Sequence, residues 1–156
     1  MTTDRRTFVI VGASLAGAKA AETLRAAGFD GRVVLVGEEP DRPYERPALS
    51  KTFLRAESSV DNAFVHAPTF YSDHDIELWL DTMVESVDVR ERAVRFDDGV
   101  KLQYDAVLLA TGSRPRGLRV PGADLPGIHY LRTLRDAQVL SFPISGSVYL
   151  PDEPSL

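Results

Sequence analysis

The sequence contains no cysteine. A redox disulfide, a persulfide and a thiolate-ligated metal are therefore excluded as its working chemistry, and the composition fits a reducing compartment. Histidine is scarce as well, because only His66, His74 and His129 are present and their spacing matches no metal site. We accordingly expect a cytoplasmic chain that binds no metal.

Long apolar runs and an excess of positive charge are also missing. No stretch approaches the roughly 20 apolar residues that a membrane-spanning helix needs, and the formal net charge is −5. We therefore expect neither a membrane nor a nucleic acid as a partner. At 156 residues, the chain has about the length of one domain with its own core.

The first forty or so residues predict a β-strand, an α-helix and a second β-strand. Thr7–Val11 and Arg32–Val36 are short β-branched runs typical of strands buried on both faces, and Leu15–Ala27 is rich in good helix formers. Such a βαβ unit gives parallel strands with a right-handed crossover. The other predicted elements are short helices over Ala48–Leu54 and Pro68–His74, strands over Ile76–Leu80, Met83–Val89, Ala93–Phe96, Val100–Leu102 and Ala106–Ala110, and a helix over Leu131–Leu140.

A glycine-rich motif joins the first predicted strand to the first predicted helix. Gly12–Gly17 matches the G-x-G-x-x-G fingerprint with Ser14 at its middle position. Gly12 permits the tight turn and Gly17 lets the helix pack closely on the strand, while the helix N-terminus offers N–H groups to a pyrophosphate. Glu38 ends the second strand, where a carboxylate accepts hydrogen bonds from an adenosine ribose. Together these features predict dinucleotide binding rather than a turn that serves packing alone.

The same residues superficially match the nucleophile elbow G-x-S-x-G of hydrolases, with Ser14 as the nucleophile. The second glycine of that motif would fall at Ala16. The serine also follows the first strand, so no upstream segment exists for an oxyanion loop. We therefore favour the dinucleotide interpretation.

The order of elements after Glu38 resembles the two-dinucleotide flavoproteins, in which a β-meander replaces a crossover helix of the FAD domain. Nicotinamide-binding domains usually continue instead with further βα units. The turn over Val107–Ser113 is part of that layout. The segments Tyr44–Lys51, Phe70-Tyr71, Ile76–Leu78, Tyr104-Asp105 and Leu131–Ala137 are more specific. With them, the chain resembles the ferredoxin reductases of the putidaredoxin, rubredoxin and dioxygenase-system type from Phe8 to about Leu140.

The resemblance implies an α/β fold, namely a truncated Rossmann-like FAD-binding domain over residues 7–140 with a parallel sheet and a small β-meander. It implies that Lys51 lies near the flavin ring, where a cation stabilises negative charge on the reduced flavin. It further implies that Val84 contacts adenine through its backbone and that Arg132 helps to close the site. The predicted cofactor-binding residues are Gly12, Ser14, Leu15, Ala16, Gly17, Glu38, Arg46, Lys51, Val84, Ala110, Thr111, Gly112 and Arg132.

The resemblance also implies an FAD-dependent oxidoreductase that passes electrons from NAD(P)H through flavin to a ferredoxin-like iron–sulfur protein. The lack of cysteine agrees, because disulfide reductases of this superfamily need a cysteine pair beside the flavin. Two features of the family are missing from this sequence. One is a second glycine-rich fingerprint, which binds NAD(P)H, and the other is a later segment that adds a strand and an aspartate to the FAD domain. We therefore expect a truncated product in which Ser141–Leu156 is a divergent, loosely ordered tail.

Two alternative functions stay open on the sequence. One is a non-catalytic FAD-binding module that lacks the nicotinamide domain. The other is a dehydrogenase that binds only a nicotinamide cofactor, which the predicted meander and the turn at Thr111-Gly112 disfavour. The redox partner, the choice between NADH and NADPH, and the oligomeric state are left open.

Overall fold

The computed structural model describes residues 6–55, 57 and 59–141. They divide into two compact units. Unit 1 comprises the described residues of Met1–Glu45 together with Phe64–Ser113, and unit 2 comprises those of Arg46–Ala63 and Arg114–Leu156.

Seven strands and three α-helices form the regular structure of the described residues. The strands are β1 Thr7–Val11, β2 Arg32–Val36, β3 Ile76–Trp79, β4 Val84–Asp88, β5 Ala93–Phe96, β6 Lys101–Gln103 and β7 Ala106–Leu109. The helices are α1 Leu15–Ala26, α2 Phe70–Asp73 and α3 Leu134–Ser141. Short 3-10 turns cover Arg46–Ala48 and Val60–Ala63, and a turn of π-helix covers Leu49–Phe53. The predicted α/β class is confirmed.

Unit 1 is built around a four-stranded parallel sheet in the order β3-β2-β1-β7. Successive side chains of a strand point to opposite faces, so β1 and β2 contribute to two apolar clusters. Ile10, Val33 and Leu35 pack with Ala21 of α1 on one face. Alternating residues of the same strands, Val9, Val11, Val34 and Val36, pack on the other face with Val94 and Phe96 of β5. The prediction that these strands are buried on both faces is confirmed.

The layer on that second face is the antiparallel meander β4-β5-β6. Its β5–β6 hairpin turns at Asp97–Gly99, where Gly99 has a φ of +84°. The amide of Phe96 donates to the carbonyl oxygen of Val100 at 3.0 Å and closes the turn. The predicted meander and its glycine hairpin are therefore present, and unit 1 has three layers: helix, parallel sheet and meander.

Unit 2 differs from the sequence prediction in two places. The predicted helix over Ala48–Leu54 is instead a 3-10 turn followed by one π-helical turn. The predicted helix from Leu131 to Leu140 begins only at Leu134 and ends at Ser141. Except for Ser141, the predicted tail Ser141–Leu156 lies outside the described residues.

The late start of α3 has a local cause. The Thr133 hydroxyl accepts a hydrogen bond from the amide of Asp136 at 3.1 Å, and the Asp136 carboxylate accepts from the amides of Thr133 and Arg132 at 2.7 and 3.0 Å. This reciprocal capping box fixes Thr133 as the residue before the first turn. Within the described ranges, no helix combines the length and apolarity needed to cross a bilayer.

Candidate dinucleotide site

The carboxyl ends of β1, β2 and β7 meet at one edge of the parallel sheet. Val11 pairs with Val36 and with Leu109 in the two ladders. Just beyond, the amide of Gly12 donates to Val36 O at 2.8 Å, and the amide of Ala110 donates to Val11 O at 2.7 Å. The glycine-rich turn, the acidic end of β2 and the turn after β7 thus adjoin. Open α/β sheets bind their ligands at this kind of edge.

Two glycines of the fingerprint are required by close backbone contacts. A Cβ atom on Gly12, whose φ is +117°, would lie 2.2 Å from the carbonyl oxygen of Ala110. A Cβ atom on Gly17 would lie 2.0 Å from the carbonyl oxygen of Gly12. The first contact brings the turn against Ala110 and Thr111, and the second sets α1 directly against the turn that follows β1. Both contacts are made within the protein, so they explain the packing of the loop independently of any ligand.

The N-terminus of α1 carries neither a side-chain cap nor an acidic residue. Ser14 is the N-cap in an extended conformation, and its side chain makes no capping hydrogen bond. Its carbonyl oxygen accepts the first helical bond, from the amide of Ala18 at 2.9 Å. Leu15 and Ala16 in the first turn are exposed. The positive end of this 12-residue helix is therefore open toward an anion.

The chain beyond β2 is held by backbone hydrogen bonds on both sides of Gly37. The amide of Gly37 donates to Trp79 O at 2.8 Å, and its carbonyl accepts from the amide of Thr82 at 2.9 Å. A Cβ on Gly37 would lie 2.6 Å from the Cβ of Ala13, so the fingerprint loop and this segment touch. Gly37 was not among the predicted site residues, although a glycine directly before the acidic residue that follows β2 is a usable signal.

The predicted adenosine contacts lie near this segment. Glu38 follows Gly37 directly and is exposed. Val84 begins β4, two residues after Thr82, and is half-buried where it pairs with Phe96. The hydrogen bond between Thr82 and Gly37 therefore brings the start of β4 toward the Glu38 segment.

Three predicted residues belong to unit 2. The Nη1 atom of Arg46 donates to the backbone oxygen of Arg132 at 2.6 Å, which joins two of them. Lys51 is exposed on the π-helical turn, and α3 packs against that turn. Burial tends to raise the pKa of Asp136, but the hydrogen bonds from Thr133 and Arg132 outweigh it and hold that pKa below its ordinary value. Asp136 is thus an ionised cap that orders the backbone at Arg132.

An apolar groove of about 510 Å³ lies elsewhere in unit 1. It runs between α1 and the strands β1 and β7, and includes Ile10, Leu24 and Val107. None of the residues predicted to bind the cofactor lines it. Among the described residues, no group of three or more histidine or acidic residues is placed to hold a metal ion.

These features coincide with a known family. The chain belongs to the pyridine nucleotide-disulphide oxidoreductase family, which matches residues 6–147. The predicted membership is confirmed. The match continues past Leu140, the predicted end of the domain.

Individual relatives are similar over most of this chain. The rhodocoxin reductase of Rhodococcus erythropolis is 42% identical over 134 residues, covering 86% of this chain and 31% of the relative. The ferredoxin–NAD(+) reductase component of the biphenyl dioxygenase system of Paraburkholderia xenovorans is also 42% identical over 134 residues, covering 86% and 33%. The predicted resemblance to ferredoxin reductases is confirmed. The chain spans about a third of the length of these relatives.

A solved structure shares both fold and sequence with the chain. It is the covalent complex of putidaredoxin reductase with putidaredoxin, with a TM-score of 0.83 and 35% identity. The aligned region covers 89% of this chain and 34% of the other. The architecture deduced for unit 1 is thus that of a known reductase domain.

Proposed function

We propose that the chain binds FAD at the carboxyl edge of its parallel sheet. The observation that carries this proposal is the uncapped N-terminus of α1, which lies between the turn at Gly12 and the acidic end of β2. A dinucleotide needs an anion site for its pyrophosphate and a nearby carboxylate for its ribose. The residues present supply both, so they fit the cofactor.

The proposed contacts follow from the chemistry of each residue. The amides of Leu15, Ala16 and Gly17 bind the pyrophosphate, with the Ser14 hydroxyl as an additional donor. The carboxylate of Glu38 accepts hydrogen bonds from the adenosine ribose. The backbone of Val84 contacts adenine, and the turn of Ala110, Thr111 and Gly112 approaches the flavin side of the cofactor.

We propose that Arg46, Lys51 and Arg132, which the resemblance assigns to the cofactor, also contact FAD. Within unit 2, Arg46 donates a hydrogen bond to the backbone oxygen of Arg132. Lys51 places a cation beside the flavin. Bound FAD supplies the capacity to accept a hydride and to release electrons one at a time, and the role of Lys51 is to stabilise the negative charge that this chemistry creates.

We further propose that the chain is the FAD-binding portion of an NAD(P)H-dependent reductase for a ferredoxin-like iron–sulfur protein. The support is its similarity to the reductases named above. The 156-residue polypeptide carries one glycine-rich fingerprint and about a third of the length of those relatives. We therefore expect this polypeptide on its own to bind FAD without efficient turnover of NADH.

A visible spectrum of the purified polypeptide, loaded with FAD and freed of excess, tests the proposal. We expect flavin absorption bands that NADH does not bleach efficiently. Efficient bleaching would contradict the expectation of no turnover. Affinity for NAD without flavin binding would instead support the nicotinamide-only alternative and reject the proposed function.

Glu38→Ala tests the proposed contact with the adenosine ribose most directly. Removing an acceptor that bonds two ribose hydroxyls should weaken FAD binding about tenfold or more, since hydrogen bonds to charged groups are the stronger ones. Glu45→Ala, which removes another exposed carboxylate of unit 1, is the matched control and should leave the affinity unchanged. Titration of flavin fluorescence measures both. Equal affinity in Glu38→Ala and wild type would reject the proposed ribose contact.

Lys51→Gln, made in the FAD-loaded polypeptide, tests whether Lys51 lies beside the flavin ring. Without the cation, reduced flavin is less stable and its reduction potential should become more negative. Lys101→Gln removes an exposed lysine of the meander and serves as the control. A spectroscopic redox titration that finds the same potential in all three proteins would place Lys51 away from the ring.

A further inference from the structure

Tyr44 is a buried residue whose hydroxyl reaches the acidic segment after β2. Its side chain is only 3% exposed. The phenolic hydroxyl donates a hydrogen bond to the carboxylate of Glu39, which is partly buried and follows Glu38 in the chain. The bond therefore joins the interior of unit 1 to the residue beside the proposed ribose ligand.

The backbone of Tyr44 is itself anchored. Tyr44 forms an antiparallel bridge with Phe64. Next to it, the amide of Val65 donates to Pro43 O at 2.9 Å, and Pro43 is buried. The phenol thus projects from a fixed strand-like pair rather than from a loose loop.

Glu39 is held from a second direction. Its backbone oxygen accepts a hydrogen bond from the amide of Asp81 at 3.2 Å. On the other side of Glu38, both backbone groups of Gly37 are bonded to Trp79 and Thr82. Glu38 therefore stands between two fixed neighbours, and the side chain of one of them depends on Tyr44.

The need for such an anchor is electrostatic. Glu38, Glu39 and Asp41 place three carboxylates within four residues. Partial burial, and then the charge of Glu39, raise the pKa of Asp41 above its ordinary value. Like charges this close repel one another. A neutral hydroxyl donor gives Glu39 a fixed direction without adding another charge.

We propose that Tyr44 is a positioning residue for the adenosine ribose, because its hydroxyl holds Glu39 and thereby fixes the backbone from which Glu38 reaches the ligand. This inference rests on the proposed binding of FAD. Tyr44 makes no contact with the cofactor in this arrangement, and its effect passes through Glu38.

Tyr44→Phe tests the inference, because it removes one oxygen and preserves the buried ring. We expect FAD to bind about fivefold to tenfold more weakly, which corresponds to roughly 1 kcal/mol. Tyr71→Phe is the matched control: it removes the hydroxyl of another buried tyrosine of unit 1, and that hydroxyl contacts His66 rather than the acidic segment. It should leave FAD affinity unchanged.

A double-mutant cycle separates positioning from a general loss of structure. If Tyr44 acts through Glu38, Tyr44→Phe should weaken FAD binding in the wild type and change it less than twofold in the Glu38→Ala background. Equal weakening in both backgrounds would overturn the inference while leaving the proposed function intact. Wild-type protein that fails to bind FAD would reject the proposed function itself, and this inference with it.

Substitution of Glu39, the hydrogen-bond acceptor, gives a second test. Glu39→Gln keeps an oxygen for the Tyr44 hydroxyl, whereas Glu39→Ala removes it. We expect Glu39→Gln to bind FAD within about twofold of wild type, and Glu39→Ala to show the same loss as Tyr44→Phe. Hydrogen exchange at the amides of Asp81 and Thr82 should become faster in Tyr44→Phe. Unchanged exchange would show that the hydroxyl does not hold this segment.

Discussion

Unit 1 and unit 2 are ordered by different kinds of interaction. In unit 1, ladders of backbone hydrogen bonds align the strands, and Val33, Val34 and Leu35 at the centre are completely buried. In the described part of unit 2, two 3-10 turns, a π-helical turn and α3 replace the sheet, and residues 114–121 are all exposed. Burial along strands orders the first unit, whereas the second combines a few buried residues, among them Leu49, Leu134 and Ala137, with individual side-chain hydrogen bonds.

The difference also separates the residues proposed to contact FAD. Those proposed for the pyrophosphate and the adenosine lie in unit 1, on turns that follow buried strands. In unit 2, Arg46 donates a hydrogen bond to Arg132 O, and Asp136 caps the start of α3.

The largest expected effect compares one glycine from each unit. Gly17→Ala would put a Cβ 2.0 Å from Gly12 O and 3.0 Å from Leu35 Cδ1. A backbone oxygen moves aside only at a large energetic cost. We therefore expect the free energy of unfolding to fall by about 2 kcal/mol or more, although the higher helix propensity of alanine offsets about 1 kcal/mol. In unit 2, Gly117→Ala meets nothing nearer than Tyr130 Oη at 3.8 Å and should change stability by less than about 0.5 kcal/mol.

Urea unfolding followed by circular dichroism measures both variants. Similar losses in the two proteins would break the comparison, because they would show that unit 2 is as tightly packed around its glycine as unit 1.

The next effect concerns the buried Tyr71 of unit 1 at high pH. Burial, as the main cause, raises the pKa of Tyr71 to about 12, and the charge of Glu22 adds to it while Arg42 opposes it. The hydroxyl also lies 3.2 Å from His66 Nδ1. Because the pKa of Tyr71 is higher in the folded state, Tyr71 ionises first in the unfolded chain. The stability that depends on neutral Tyr71 is therefore complete below pH 10 and is lost as the pH rises toward 12. The expected loss is on the order of 2 kcal/mol.

Tyr71→Phe removes this dependence and identifies it. The free energy of unfolding of the wild type should fall relative to Tyr71→Phe between about pH 10 and pH 12. Tyr130→Phe, which alters an exposed tyrosine of unit 2, should follow the wild type. A constant difference between wild type and Tyr71→Phe over this range would contradict the prediction.

The same contrast explains which elements the sequence predicted correctly. The apolar runs Thr7–Val11 and Arg32–Val36 became strands with the predicted bounds, because a segment buried on both faces has an unambiguous pattern. The hairpin at Asp97–Gly99 was likewise predicted from its turn residues. These features are local, so residues adjacent in the sequence are enough to predict them.

The features that the sequence did not reveal depend on side-chain contacts that no local pattern encodes. No turn or periodic motif indicates that the Tyr44 hydroxyl bonds Glu39, five residues earlier. Nothing near Arg46 indicates a bond to Arg132 O, which is 86 positions away. The start of α3 was misjudged for a different reason. Leu131 fits the apolar pattern, but the bonds between Thr133 and Asp136 fix the helix start three residues later, at Leu134.

That capping box gives the prediction for unit 2. Asp136→Ala leaves the amides of Arg132 and Thr133 without their carboxylate and should cost about 1 kcal/mol. Because hydrogen bonds lower the pKa of Asp136 in the folded state, its contribution is complete above its unfolded pKa and is lost as pH falls through the folded value. Gln138→Ala, on the exposed side of α3, should have little effect. Urea unfolding at pH 7 and pH 3 should show that the difference between wild type and Asp136→Ala shrinks in acid.

The smallest effect is expected at a charged pair on unit 1. Arg32 donates two hydrogen bonds to the Glu77 carboxylate, at 2.7 and 2.8 Å, but the two side chains are 38% and 42% exposed. Solvent screens such a pair, so Glu77→Gln should cost only about 0.5 kcal/mol. The hydrogen bond from Arg32 lowers the pKa of Glu77, so this contribution is present above the unfolded pKa and lost as pH falls through the folded value. Glu85→Gln on β4 is the control, and urea unfolding at low and high salt is the measurement. A loss above 2 kcal/mol in Glu77→Gln would mean that surface charge, rather than the buried layers, supports the sheet.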